Sequence, residues 1–132
     1  MKPVSLVILL TVAFFSCSKK EETKTDAELV GVWKLTEVLA DPGDGSGTFH
    51  GVNSNKTMEF HTDGTLTSNG GICDMSIDSG SPSSGTYSLV DSTMTSSKCA
   101  NYYFKIQFKK TGATLIIYYP CIEGCAAKYI KK

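Results

Sequence analysis

Arginine is missing altogether from the 132-residue sequence. A chain without it has no planar guanidinium to grip phosphate, carboxylate or guanine with two parallel hydrogen bonds. Charge of one sign is missing too: 13 basic against 13 acidic residues give a formal net charge of zero, so the electrostatic footprint of a nucleic-acid binder is absent. The only histidines, His50 and His61, stand apart, and no Gly-x-Ser-x-Gly elbow, phosphate loop or His-Glu-x-x-His helix occurs. No apolar run reaches the roughly 20 residues of a membrane-spanning helix. Nucleic acid is therefore an unexpected partner, and we expect no catalytic residue, no metal site and no cofactor. Glu59, His61 and Asp63 do recur at period two, as carboxylate, imidazole and carboxylate. They belong to the polar face of a half-buried strand, which is ordinarily solvated.

What the chain does have begins at its first residues. Lys2 precedes a nearly unbroken apolar stretch over 4–15, the right length for the core of a secretory signal. Phe14-Phe15-Ser16-Cys17 follows and resembles the lipobox of bacterial lipoproteins, with phenylalanines where leucine and a small residue are usual. That resemblance implies cleavage after residue 16, diacylation of Cys17 and attachment to a membrane of the bacterial envelope. The other reading is an ordinary signal peptide cleaved elsewhere. Residues 17–26 have no apolar side chain to bury beyond that cysteine and read as a flexible tether. Ser18 after the cysteine resembles lipoproteins sent to the outer membrane. Lys20-Glu21-Glu22 resembles a short surface-export signal, or is simply linker. Residues 27–132 suffice for one domain with a modest core.

Four further cysteines, Cys73, Cys99, Cys121 and Cys125, lie in the exported part. An even number in an oxidising compartment implies two disulfides, with three connectivities open. The short turn between Cys121 and Cys125 favours pairing these two, leaving Cys73 and Cys99 to staple neighbouring strands. A redox or metal role for Cys121-x-x-x-Cys125 is disfavoured by its spacing and by the lack of a nearby histidine.

Alternation of apolar and polar residues predicts strands over 29–39, 57–61, 65–67, 72–77, 85–90, 102–109, 113–119 and 126–130. Asp63-Gly64, Asn69-Gly70-Gly71 and Thr111-Gly112 mark turns, while 41–55, rich in glycine, and 78–84 read as polar loops, the first of them mobile. About eight short strands in sequential hairpins make an all-β, antiparallel up-and-down barrel or a related sandwich. Asn55-Lys56-Thr57 and Asp91-Ser92-Thr93 match glycosylation tripeptides, but matches this short arise by chance.

Gly31-Val32-Trp33 near the start of the first strand, together with this meander, resembles the lipocalin-like lipoproteins of bacterial envelopes, and the ending 119–129 looks like theirs as well. The resemblance, over residues 28–132, implies that Gly31 lets the strand bend and that Trp33 plugs the closed end. Lipocalins lay a late-strand arginine over that tryptophan; here Lys128 is expected to take its place. A ligand cavity would be lined by Met58, Phe60, Leu66, Tyr87, Phe104, Ile106, Phe108, Leu115 and Ile117, and would open beside 41–55 or 78–84. Otherwise these nine side chains form a plain core. The expected function is non-enzymatic binding of a small apolar or amphipathic ligand by a membrane-anchored module. The alternative is a filled barrel acting as an inhibitor or accessory subunit, with its outer tyrosines Tyr103 and Tyr118 meeting a protein partner.

Overall fold

A computed structural model describes residues 24–99 and 105–132. Where apolar and polar side chains alternate, strands form. β1 (Gly31–Ala40) turns Trp33 and Leu35 inward. After the two-residue β2 (His50–Gly51), β3 (Thr57–Phe60) and β4 (Thr65–Ser68) bury Met58, Phe60 and Leu66 while showing Glu59 and Thr67 to solvent. The hairpin between them is the one that Asp63-Gly64 foretells: Gly64 N–H donates to the His61 carbonyl, and the Asp63 carboxylate accepts from the Thr65 amide and hydroxyl. β5 (Ser83–Ser88), β6 (Thr93–Thr95), β7 (Ile106–Thr111), β8 (Thr114–Tyr118) and β9 (Cys125–Lys131) complete the series.

All neighbours pair antiparallel in the order β2-β1-β3-β4-β5-β6-β7-β8-β9, and β1 also pairs with β9. That last seam closes an eight-stranded up-and-down barrel, and β2 pairs with β1 at Glu37 and Val38, beyond the residues that pair with β3. The register shifts between Leu35 and Glu37, a bulge of the kind that lets a long strand bend around a barrel. Closure leaves no strand edge along the ring for another chain to pair with.

Three strands differ from the sequence expectation, the first being β2, which falls within the loop expected over 41–55. The stretch 72–77 is an irregular loop, because its polar side chains take up its own backbone: Asp74 accepts from the Ser76 amide, and the Ser76 hydroxyl accepts from the Asp78 amide. Such local bonds compete with a ladder. The strand that fills the ring instead is β6, too short for alternation to register in the sequence. β5 accordingly starts at Ser83 rather than at 85.

A short helix, α1 (Lys24–Leu29), precedes β1 where no helix was expected. It lies across one end of the barrel, where Leu29 is buried and its carbonyl accepts the Trp33 indole N–H at 2.7 Å. The β3–β4, β5–β6 and β7–β8 turns share this closed end. The longer β1–β3, β4–β5, β6–β7 and β8–β9 connections form the opposite rim.

Candidate binding site at the barrel rim

At the closed end Gly31 has φ +122°, a conformation open to glycine and strained for other residues. Trp33 has no exposed surface. The cation over its ring is not Lys128 but Lys131, whose ammonium lies 5.5 Å from the ring centroid and donates to the Glu28 carbonyl. Register explains the correction. Trp33 pairs with Lys131 across the β1–β9 seam, whereas Lys128 pairs with Glu37 on the other side of the bulge. Lys128 forms an ion pair with Glu37 at 2.6 Å and lies over the Phe49 ring at 4.4 Å.

Of the expected cavity-lining residues, Phe104 lies outside the described residues, as do Tyr103 and Cys17. The other eight point into the barrel. Met58, Leu66, Leu115 and Ile117 have no surface reachable by a water-sized sphere, and Phe60, Ile106 and Phe108 have almost none. Phe60 packs edge-on against both Tyr87 and Phe108, at 5.1 and 6.0 Å between centroids. Tyr87 is partly buried against this core and donates its hydroxyl to the His61 carbonyl. These side chains occupy the space that a ligand would need.

The mouth above them is stoppered by polar groups that the sequence reading missed. Lys56 is fully buried beneath the β4–β5 loop, and its ammonium donates to the carbonyls of Ser76 at 2.7 Å and Asp74 at 3.4 Å. Burial pushes its pKa down, against the pull of Asp74 and Asp78. Tyr119 and Tyr129 are buried near each other and near Asp74, yet neither hydroxyl has a hydrogen-bond partner of good geometry among the described residues. Burial raises both phenols, that of Tyr129 to about 12. The signal for these residues was parity: Lys56 shares the inward phase of Met58 and Phe60, and Tyr119 that of Leu115 and Ile117.

Both disulfides brace this rim. Cys121–Cys125 closes the β8–β9 corner, as expected. Cys73–Cys99 joins the β4–β5 and β6–β7 loops, not two strands. The glycine-rich loop is also held: the Asp41 carboxylate accepts the amides of Gly47, Gly43 and Gly45, bonds that lower its pKa, and the Asp41 amide donates to the Gly124 carbonyl. Beside the Cys73 loop opens a cleft of about 380 Å³ lined by Ile72, Asp74, Pro82 and Lys98 among others. It opens at the rim beside 78–84 but shares none of the nine side chains expected to line a cavity. Tyr118 is exposed on the outer wall. Glu59 and Asp63 are exposed and His61 half-buried, the imidazole bonded to the Thr67 hydroxyl at 3.2 Å.

A family model for a lipocalin-like domain matches residues 29–124. The match stops just before β9, the strand that closes the ring. No curated protein and no solved structure matches the chain.

Proposed function

Since the chain belongs to the lipocalin-like domain family, we propose that it is a non-enzymatic recognition module, held to a membrane of the bacterial envelope by lipid on Cys17, that meets a protein partner with the rim of a filled barrel. The observation that carries this reading is the packed interior: inward side chains with no reachable surface cannot admit a ligand without rebuilding the core. The rim, in contrast, is covalently braced and hydrogen-bonded, and a loop already ordered loses little entropy when it binds.

A second reading is favoured by the rim cleft, whose volume lies within the range of small-ligand sites. Ile72, Pro82 and the Cys73 disulfide give it apolar walls, and Asp74 and Lys98 give it polar ones. That composition suits a small amphipathic molecule held at the mouth.

Native mass spectrometry of the protein taken from its own envelope tests these readings together. We expect residues 1–16 removed, a diacylglyceryl mass on Cys17, two disulfides and no retained small molecule. An apolar molecule released only on unfolding would overturn the filled-barrel reading. An unmodified, freely soluble product would overturn the anchor.

A further inference from the structure

We propose that the closed end of the barrel is a foot that rests on the lipid surface, with Val90 as its point of contact; this deepens the anchored reading above and rests on it. The first argument is chain length. Six residues lie between Cys17 and Lys24, and the seven Cα steps from one to the other span no more than about 25 Å even fully extended. From Lys24 the six residues of α1 lead across the closed end and no further. A lipid on Cys17 therefore holds this end nearer to the membrane than the rim.

The second argument is the surface found there. Val90 is completely exposed at the tip of the β5–β6 turn. The turn is held firmly: the Asp91 carboxylate takes hydrogen bonds from Lys105 and Thr93, and Ser92 adopts φ +52°, the sole positive value outside glycine among the described residues. An apolar side chain fixed in water on a strained, tied-down turn is poorly explained by packing, since nothing in the barrel covers it. Beside it a cleft of about 310 Å³ opens between α1 and the turns, with an apolar floor of Leu29, Leu89 and Phe108 and, at its edge, Lys110 in an ion pair with Glu28. β9 ends on the same side at Lys131, whose ammonium is held by Trp33 and the Glu28 carbonyl, and the exposed Lys132 follows it. An exposed apolar side chain beside an apolar floor suits the boundary between headgroups and acyl chains, where exposed Lys132 can bury its stem and keep its ammonium wet.

The test uses the full acylated protein on vesicles of phosphatidylethanolamine and phosphatidylglycerol. Val90→Cys or, as the rim control, Ile122→Cys carries an environment-sensitive fluorophore; both sites are fully exposed, so neither change disturbs the core. With Cys17 acylated and the other four cysteines in disulfides, the added thiol is the one labelled. We expect a blue shift and strong quenching by headgroup-nitroxide lipids at position 90, and neither at 122. Vesicle-bound protein whose label at 90 is no more quenched than that at 122 would overturn the foot while leaving the anchor standing. Protein that lacks the acyl mass and does not sediment with vesicles would overturn both.

Discussion

The ammonium of Lys131 and the indole of Trp33 face each other across the β1–β9 seam, paired in register and 5.5 Å apart. Because Trp33 is the sole tryptophan, its fluorescence reports this contact without interference. Lys131→Met keeps the stem and removes the charge. We expect a loss of about 1 kcal/mol in denaturant unfolding and a shifted Trp33 emission, as befits a partly exposed cation–π pair. Lys128→Met should leave the emission unchanged.

Lys56 makes a different prediction. Replacing it with methionine fills the same space but strands the carbonyls of Ser76 and Asp74. We expect a cost of about 1–3 kcal/mol, the usual penalty for buried polar groups left unpaired. The contribution of Lys56 to stability should also rise with pH toward 10.5, since its lowered pKa means that the folded chain holds this proton less than the unfolded one there. Lys56→Met should abolish that rise in pH-dependent urea midpoints.

The tyrosines act with the opposite sign. Above pH 10 the unfolded phenols ionise, while folded Tyr129 holds its proton to about 12 and Tyr119 is raised as well. The folded state then binds more protons, so stability falls as pH climbs past 10. Phenolate absorbance of the buried pair should appear only as the chain unfolds. Tyr119→Phe and Tyr129→Phe variants that lose no absorbance from the unfolding step would contradict this burial.

The disulfides should contribute unequally. Cys73–Cys99 spans 26 residues and Cys121–Cys125 spans 4. The chain-entropy relation gives about 3.5 kcal/mol for the first and about 2 kcal/mol for the second. Paired Cys→Ala variants, compared by guanidinium midpoints, check the order.

Backbone contact sets a final pair apart. A Cβ on Gly85 would sit 2.1 Å from the Thr95 carbonyl oxygen, whereas one on Gly51 would meet nothing. Gly85→Ala should force β5 from β6 and cost about 3 kcal/mol, at the upper end of overpacking. Gly51→Ala should stay within about 0.5 kcal/mol, as exposed substitutions do. Thermal unfolding of both variants measures the difference.

Much of the barrel was legible because its strands alternate cleanly. Met58 and Phe60, or Leu115 and Ile117, announce both strand and inward face. Where alternation was brief or misleading, the reading slipped. Ile72, Met75 and Ile77 looked like a strand, but the Asp74 and Ser76 side chains spend their hydrogen bonds locally. Thr93–Thr95 has one apolar residue and no period to see, and becomes a strand through its neighbours. Lys128 was set over Trp33 by resemblance, which carries no register, whereas the seam pairs Trp33 with Lys131. Lys56 escaped notice because a charge in an inward phase reads as an exception until the carbonyls that receive it are known.

The β1–β9 seam also fixes an order of events. Lys131 reaches the carbonyl of Glu28 across 103 positions of sequence, so the ring is completed by its last strand meeting its first. Until then Trp33 has no cap and β1 offers a bare flank. Contacts so distant in sequence form slowly. The interval between the emergence of Trp33 and that of Lys131 is thus when this protein most needs an escort, and trimming β9 would make that interval permanent.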